Sequence, residues 1–501
     1  HAIPASRALG SVEYHGISVD LAYAEELQGK LTKVIDDTRT ALYDMARPAW
    51  LEDKELNLNS GPQLAKLLYD YGWRHPDGTR IETIECLKET KTGRSTAEDA
   101  LKPYIKYDAQ FVDGKTKYVP QRESLFLDTL FLHKKALKAR DTFLKTMKIL
   151  SKRDARVHCS YNLNGTGTGR SSCSDPNLQQ VPKKLAGLSI KKLFITDDRD
   201  SLFFVNADYK GAEVRVFTAY ARDEALIKAL NEGLDMHSFF ASKVFGRPYE
   251  DYQARDKEES GLSKEYRALL DLERTRIKRF VFGILYGAQP KKLSQTIGCT
   301  EEEAFKLQAL LFEMFPAIKE YIDEVNHLVV RDGYVETLFG RRRRFPLAVS
   351  TRHRLRAQRQ ACNFKIQSTS SDIVIGQLIE MHEMINSDKT WPEWGIHQPL
   401  HTMGVRILLT VHDSIGLQWP KKIARALIPW LTYYGEERVR EKYPWLPVPF
   451  KIDIEAGENY GECKPATKYI EDLPHNDVEE GTIEEAELLT ELREDAFKAA
   501  S

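Results

Sequence analysis

Two aspartates in this sequence could carry out chemistry on a phosphate group. Asp208 ends the apolar run SLFFVNAD, and Asp413 lies about 205 positions later, between the apolar runs VRILLTV and IGLQW. Two strand-end carboxylates that meet at one sheet edge could hold two divalent cations for in-line phosphoryl displacement, and hard oxygen ligands suit Mg²⁺. Each aspartate also has a local explanation, as a helix N-cap for Asp208 and as a turn residue for Asp413.

A second candidate is the segment 264–287, whose periodicity predicts one long helix. Four of its side chains recur every four positions and so share a face about 18 Å long: Arg274, Lys278, Phe282 and Tyr286. Cations suit a triphosphate and aromatic rings suit a base, so this face fits a nucleoside triphosphate. The alternative is an ordinary amphipathic helix with its rings in a core and its cations in solvent.

Basic and amide side chains elsewhere could contact a nucleic acid. The run 341–344 consists of four arginines and suits phosphate contacts, although a solvated surface run explains it equally well. Four amides could contact base or sugar edges in a minor groove, where acceptors are similar for every base pair: Asn177, Gln179, Asn363 and Gln367. None of these amides identifies a function by itself.

Length and composition place the chain among globular proteins. It has 501 residues, of which 42% are apolar and 29% charged, so we expect two to four domains and a large buried core. No apolar stretch is long enough to span a membrane, and the first residues do not have the layout of a signal peptide. The six cysteines have no metal-ligand spacing, which favours a reduced, intracellular compartment.

The formal charge of −1 hides an asymmetry between the body and the C-terminus. The segment 471–501 has eleven acidic and two basic residues, a net −9, which leaves +8 on the first 470 residues. A basic body is compatible with a polyanionic partner. For the acidic tail we expect a frayed end or one short helix, which an accessory factor could bind.

The apolar patterning also predicts the elements that would position these residues. Segments 18–47 and 101–150 have helical periodicity, and a domain boundary is expected near 150. A strand ends at Asp208 and leads directly into a helix. Two further helices are expected at 302–330 and 352–386, followed by a β-hairpin with Asp413 at or beside its tip.

Seven segments, in order, carry a resemblance to a known family. They are TGRSSCSDPNLQQVP, DYKGAEVRV, DMHSFFASKVFG, RTRIKRFVFGILYG, YVETLFGRRRRFP, RQACNFKIQ and LLTVHDS. Together with weaker matches they resemble the polymerase region of a family A DNA polymerase, the class of bacterial polymerase I, over most of residues 11 to 460. The resemblance implies an α+β fold of the right-hand type, with a helical thumb, an antiparallel β-sheet palm and helical fingers. The expected segments are 1–150 (N-terminal stub and thumb), 151–221 (first part of the palm), 222–350 (fingers), 351–461 (second part of the palm) and 462–501 (acidic extension).

The resemblance also implies a role for individual residues. Asp208, Asp413 and the backbone carbonyl of Tyr209 would hold two Mg²⁺ ions. Arg274, Lys278 and His237 would grip the triphosphate, and Lys278 would also protonate the departing pyrophosphate. Phe282 and Tyr286 would flank the incoming sugar and the nascent pair, and Glu213 would block a ribose 2′-hydroxyl. The residues expected at the primer-template are Arg170, Asn177, Gln179, Gly287, Arg359, Asn363, Gln367 and His412.

The sequence departs from the family pattern at two of these sites. Ser414 follows His412-Asp413 where relatives usually have Glu, so the magnesium argument depends on two carboxylates. Lys210-Gly211 replaces the common Ser-Gln after Asp208-Tyr209.

The function implied is that of a DNA-directed DNA polymerase, which extends a primer 3′-end with deoxynucleoside triphosphates in DNA replication or repair. Its expected partners are primer-template DNA and the nucleotides, with a monomeric state and no membrane. The alternatives are a single-subunit RNA polymerase, in which His-Asp-Ser also occurs, and a non-catalytic DNA-binding subunit with the same fold. About ten residues precede the thumb-like start and residue 1 is His, so we expect no exonuclease domain here and a fragment or processed product.

Overall fold

The structure is a computed structural model that describes residues 2–74, 83–90, 93–105, 107–112, 115–120, 124–255, 260–348 and 350–474. Most of the acidic tail, from 475 to 501, lies outside the described residues, and with it the expectation of a short acidic helix there. Of the helices in the described part of the chain, none has the length and apolar character needed to cross a bilayer.

Helices and strands alternate irregularly along the chain. The helices are α1 (Ala2–His15), α2 (Leu21–Ala46), α3 (Gly61–Lys66), α4 (Glu98–Leu101), α5 (Leu125–Leu137), α6 (Lys145–Leu150), α7 (Ala212–Ala221), α8 (Glu224–Asn231), α9 (Met236–Phe245), α10 (Tyr249–Ala254), α11 (Lys264–Leu285), α12 (Pro290–Ile297), α13 (Glu301–Met314), α14 (Pro316–Arg331), α15 (Thr351–Ile385), α16 (Leu427–Thr432), α17 (Arg438–Lys442) and α18 (Ala466–Glu471). The strands are β1 (Ile17–Val19), β2 (Glu89–Thr90), β3 (Gly93–Arg94), β4 (Tyr107–Val112), β5 (Lys115–Pro120), β6 (Arg156–Val157), β7 (Ser160–Asn162), β8 (Ser172–Ser174), β9 (Phe194–Ile195), β10 (Leu202–Tyr209), β11 (Tyr334–Glu336), β12 (Arg342–Arg344), β13 (Arg406–Val411), β14 (Ser414–Pro420), β15 (Ile452–Gly457) and β16 (Lys464–Pro465).

The chain divides into two compact units. Among the described residues, the larger unit contains 2–18, 156–180 and those from 194 onward, and the smaller contains those within 19–155 and 181–193. The segments expected as fingers and second part of the palm both lie in the larger unit. The division therefore does not test the boundary between them, and the five predicted segments stay a prediction.

The smaller unit is built around α2 and α5. The carboxylate of Asp20 caps α2 by accepting a hydrogen bond from the Tyr23 amide at 2.9 Å. The helices pack through buried leucines and aromatic rings, and the rings of Trp73 and Phe126 stack at 5.0 Å. The prediction of helix throughout 101–150 is wrong for the antiparallel pair β4 and β5. In the sequence, residues 107–111 (YDAQF) alternate apolar and polar types, a period-two pattern that the flanking helical periodicity obscured.

The larger unit contains a five-stranded antiparallel sheet in the order β13-β14-β10-β15-β16. The central strand β10 is almost wholly buried between Leu202 and Val205, and its exposure begins near its C-terminal end, at Asp208. The predicted strand before Asp208, the helix after it (α7) and the hairpin β13-β14 are confirmed. This sheet, with helices around it, confirms the α+β class.

The predicted long helix at 264–287 is confirmed as α11, and the one at 352–386 as α15. The hydroxyl of Ser263 caps α11, whose buried side includes Ile277, Val281 and Ile284. The helix expected at 302–330 is in fact two, α13 and α14. The first helix ends before Phe315, because Pro316 cannot continue it and instead begins the second helix.

Candidate active site

The two aspartates of interest meet at one end of the sheet. His412 and Asp413 form a two-residue turn between β13 and β14, with His412 in the left-handed region at φ +55°. The backbone amide of Tyr209 donates to the carbonyl of Asp413 at 3.0 Å, and Asp208 lies directly opposite Ser414 in the strand register. The hairpin turn therefore brings Asp413 beside Asp208, as the sequence predicted. The N-cap alternative for Asp208 is wrong, since Gly211 is the N-cap of α7.

The electrostatics around Asp208 and Asp413 favour a bound cation. Burial and the neighbouring Asp413 carboxylate raise the pKa of Asp208 to about 6. Asp453, the partner of Asp208 on β15, and Glu455 raise this pKa further, whereas the ammonium of Lys278 opposes the shift. A positive ion between these carboxylates would relieve the repulsion that contributes to the shift.

The donor set fits a divalent metal held by few protein ligands. Asp208 and Asp413 offer hard carboxylate oxygens, and Mg²⁺ is commonly bound by one or two carboxylates together with substrate phosphates. Within the described ranges, no group of three or more His, Cys, Asp or Glu side chains has the arrangement of a complete metal site. Ser414, which has no carboxylate, donates its hydroxyl to the carbonyl of Val411 at 3.0 Å and so stabilises the turn.

Arg170 contacts both Glu213 and Asp413. Its Nη2 donates to Glu213 Oε1 at 2.7 Å and lies 3.4 Å from Asp413 Oδ1. Burial raises the pKa of Glu213 to about 7, although the Arg170 guanidinium opposes the shift. Glu213 is only 8% exposed, in the first turn of α7, so its side chain is a fixed obstacle beside the aspartates.

The outer face of α11 carries the predicted row of cations and rings. Arg274 donates through Nε to Asp235 Oδ2 at 2.7 Å, and Lys278 Nζ lies 5.9 Å from the centre of the Phe282 ring. The Phe282 and Tyr286 rings stack at 6.0 Å. The alternative was an amphipathic helix whose rings lie in the protein core. The structure agrees with it only in part, since both rings are half-buried.

His237 joins this face from α9. Its ring lies 5.5 Å from that of Phe282, and burial lowers its pKa. The Nε2 atom of His237 is buried and finds no hydrogen-bond partner among the described residues. A buried polar atom without a partner is costly, which suggests that a ligand completes this site.

A groove with a volume of about 790 Å³ lies beside the C-terminal part of α11, where Phe282 and Tyr286 are located. Its lining includes Lys278, Phe282, Tyr286, Arg359 and Asn363. Part of the predicted DNA-contacting set therefore shares one groove with part of the predicted nucleotide-contacting set.

Two further members of the DNA-contacting set border this groove. Gly287 has φ +73°, which favours glycine, and a Cβ atom there would lie 3.6 Å from Arg359 Cα. Gln367 Nε2 donates to the Tyr286 hydroxyl at 3.4 Å.

The remaining predicted DNA contacts lie near the hairpin. Gln179 donates to the carbonyl of Thr410 on β13 at 3.4 Å, and Asn177 precedes it by two positions. Burial and Arg170 lower the pKa of His412. The arginine run 341–344 is partly engaged within the chain: Arg341 pairs with Asp372 at 2.6 Å and Arg343 donates to the carbonyl of Gly167 at 2.7 Å.

Two residues of the site were missed from the sequence. Asp235 holds Arg274 and caps α9, and its signal is the spacing Asp-x-His within DMHSFFASKVFG. Asp453 faces Asp208 from β15, and its signal is the alternation in KIDIEAG.

Comparisons with known proteins identify the family of the chain. The family described as DNA polymerase family A matches residues 21–462. DNA polymerase I of Streptococcus pneumoniae is 31% identical to 92% of this chain over 46% of its own length, and the thermostable DNA polymerase I of Thermus aquaticus is 29% identical to 92% of the chain over 48% of its length. The chain spans about half the length of the curated relatives it matches.

A solved structure matches at the level of the fold. The polymerase domain of Pol1 from M. smegmatis, in complex with DNA primer-template and dNTP, is 28% identical, with a TM-score of 0.72 over 92% of this chain and 70% of the other. This similarity confirms the predicted polymerase-type α+β fold. Because the family match covers most of the residues and includes both aspartates and α11, the chain belongs to DNA polymerase family A.

Proposed function

We propose that this chain is a DNA-directed DNA polymerase, which adds deoxynucleoside triphosphates to a primer 3′-end in DNA replication or repair. The observation that carries the proposal is the meeting of Asp208 and Asp413 at one sheet edge, with Lys278 of α11 close enough to oppose the rise in the pKa of Asp208. Two acids that attract cations, beside a helix that carries cations and rings, suit the transfer of a nucleotide.

We propose Mg²⁺ as the metal, with two ions held by Asp208, Asp413 and the backbone carbonyl of Tyr209. When bound, such ions lower the pKa of a primer 3′-hydroxyl and neutralise charge on the triphosphate. The chain's own contribution is the pair of adjacent carboxylates, fixed by the β10-β14 ladder. Burial and the nearby carboxylates raise the pKa of Asp208, so its negative charge is costly in the absence of a counter-ion.

The outer face of α11 would hold the nucleotide. Arg274, Lys278 and His237 would contact the triphosphate, and Lys278 would also donate a proton to the departing pyrophosphate. Phe282 and Tyr286 would flank the sugar and the new base pair. The free Nε2 of His237 and the groove beside the rings support this arrangement.

The primer-template would lie along the groove and the hairpin. We propose that the DNA-contacting residues sense the shape of the base pair from the minor groove without reading its sequence. They are Arg170, Asn177, Gln179, Gly287, Arg359, Asn363, Gln367 and His412. We further propose that the chain acts as a monomer, with the acidic tail available to an accessory factor. The DNA and dNTP in the similar Pol1 structure support both partners.

A primer-extension assay with Mg²⁺ and either deoxynucleotides or ribonucleotides tests the proposal. We expect extension with deoxynucleotides, and its loss when a chelator removes the metal. A strong preference for ribonucleotides would instead favour the RNA polymerase alternative. Binding of primer-template without any extension would favour a non-catalytic subunit.

Glu213→Ala is expected to relax the choice of sugar. Because Glu213 is a fixed, buried obstacle beside the aspartates, its removal would open space for a 2′-hydroxyl, and we expect the preference for deoxynucleotides to fall about 10-fold to 100-fold. The measurement is the ratio of kcat/KM for dNTP and rNTP. Glu213→Gln is the matched control, since it keeps the size and should keep the preference. Equal relaxation in both variants would contradict a steric role.

A further inference from the structure

Asp235 touches both residues that we expect to grip the triphosphate from different helices. It is the N-cap of α9, where its Oδ1 accepts a hydrogen bond from the His237 amide at 3.1 Å. Its Oδ2 accepts from Arg274 Nε, on α11, at 2.7 Å and from the Ser238 hydroxyl at 2.7 Å. One carboxylate therefore ties the start of α9 to the middle of α11.

This arrangement engages the Nε atom of Arg274 and leaves its two terminal nitrogens available. The Nε atom is engaged by Asp235 and lies 3.2 Å from the Ser238 hydroxyl. Among the described residues, neither Nη1 nor Nη2 of Arg274 has a hydrogen-bond partner. A guanidinium held at Nε can offer both terminal nitrogens to oxygens of one ligand, and it loses less side-chain freedom when that ligand binds.

The same carboxylate orients His237. The backbone of His237 is anchored by the cap, and its Nδ1 lies 3.6 Å from Asp235 Oδ1. The opposite ring nitrogen, Nε2, is buried and has no partner within the described chain. The unpaired atoms of His237 and Arg274 are thus left to a third group, and a polyanion suits the local charge because Lys278 lies one helical turn further along α11.

We propose that Asp235 is a positioning residue for triphosphate binding: it aligns Arg274 and His237 across two helices so that their free nitrogens meet one polyphosphate. The inference rests on the proposed function, because it needs a nucleoside triphosphate as the ligand. The competing explanation is that Asp235 is only a helix cap. Asp223 provides a comparison, since it caps α8 by accepting from the Leu226 amide, accepts from the Ala317 amide of α14 through its other oxygen at 3.2 Å, and has no hydrogen bond to Arg274.

Asp235→Asn separates the two explanations. Asparagine keeps a side-chain oxygen for the cap, but its amide nitrogen cannot accept a hydrogen bond from Arg274 Nε. We expect KM for the dNTP to rise about tenfold, a loss typical of one charged hydrogen bond, while kcat changes less than about threefold. Asp223→Asn is the matched control and should leave KM unchanged. A cap-only role predicts similar, small effects in both variants.

Combination with Arg274→Ala tests whether Asp235 acts through Arg274. If it does, Asp235→Asn should raise KM further by less than about threefold in an Arg274→Ala background, since most of the positioned group is already gone. Fully additive effects would overturn the proposal. The three single variants Asp235→Asn, Asp223→Asn and Arg274→Ala should remain folded at the assay temperature in a thermal unfolding measurement, and their primer-template affinity should stay close to that of the wild-type protein.

Nucleotide binding without chemistry distinguishes failure of this inference from failure of the proposed function. The probe is the next complementary dNTP, titrated onto the protein and a primer-template whose primer ends in a dideoxynucleotide. Binding by the wild-type protein with about tenfold weaker binding by Asp235→Asn supports the inference. Equal binding overturns the inference alone, and tighter binding overturns it by making Asp235 a competitor of the phosphates. No binding by the wild-type protein overturns both.

Discussion

Asparagine in place of Asp208 is expected to lower the rate of nucleotide incorporation by about 10³-fold or more. The substitution keeps the shape of the side chain and the β10 ladder but removes one of the two carboxylates available to a cation. Loss of metal-assisted charge stabilisation costs several kcal/mol in the transition state, and each 1.36 kcal/mol is a factor of ten in rate. Asp413→Asn should be comparably severe. Single-nucleotide incorporation at saturating dNTP and Mg²⁺ measures both.

The same variant should be at least as stable as the wild-type protein when no metal is added. The pKa of Asp208 is raised in the folded chain, so its ionised form is less favourable there than in the unfolded chain at neutral pH. A neutral side chain avoids that penalty. Thermal unfolding measured in the presence of a chelator should therefore show no loss of stability, which separates inactivity from misfolding.

Asp453→Asn is the matched control for this prediction. Asp453 lies opposite Asp208 on β15, and the side chains of directly opposed residues share one face of a sheet, but its carboxylate pairs with Lys210 at 3.5 Å. We expect incorporation within about tenfold of the wild-type rate. If Asp453→Asn were as damaging as Asp208→Asn, or if Asp208→Asn kept more than about a tenth of the activity, the assignment of the metal site to Asp208 and Asp413 would be wrong.

The elements that carry the site were predictable because their local signals are strong. The apolar run before Asp208 is long enough for a central strand, the two apolar runs around Asp413 are separated by a turn, and α11 has clear helical periodicity. Once these elements are in place, an antiparallel sheet can bring two distant carboxylates together. The meeting of Asp208 and Asp413 follows from that local information and from the antiparallel palm sheet that the resemblance implied.

The contacts between elements were not predictable in the same way. Arg170 pairs with Glu213, which is 43 positions away, and Asp235 pairs with Arg274, which is 39 positions away. No local pattern specifies such a pair, because a charged residue has many partners of opposite sign in the chain. The break at Pro316 was missed for another reason: apolar spacing continues across it, although proline begins a second helix there.

Lys278→Met is the second substitution from which we expect a large effect, a fall of about 10²-fold to 10³-fold in kcat/KM for the dNTP. Lys278 is the α11 cation that influences Asp208, Glu213 and His237, since it appears in the charge environment that sets the pKa of each. Methionine keeps the aliphatic length and the helix propensity but removes the ammonium. Arg276→Met is the matched control, because position 276 lies about 160° around the helix from 278 and should leave kcat/KM unchanged.

Lys278→Arg distinguishes the two roles proposed for this side chain. Arginine keeps the positive charge, so it should restore most of the dNTP affinity that methionine loses. Because a guanidinium remains protonated throughout the accessible pH range, it is a poor donor to the departing pyrophosphate, and kcat should stay at least about tenfold below the wild-type value. Full recovery of kcat in Lys278→Arg would limit Lys278 to binding the triphosphate. An unchanged kcat/KM in Lys278→Met would contradict the proposed role of α11, since Lys278 is the α11 cation that affects the pKa of Asp208.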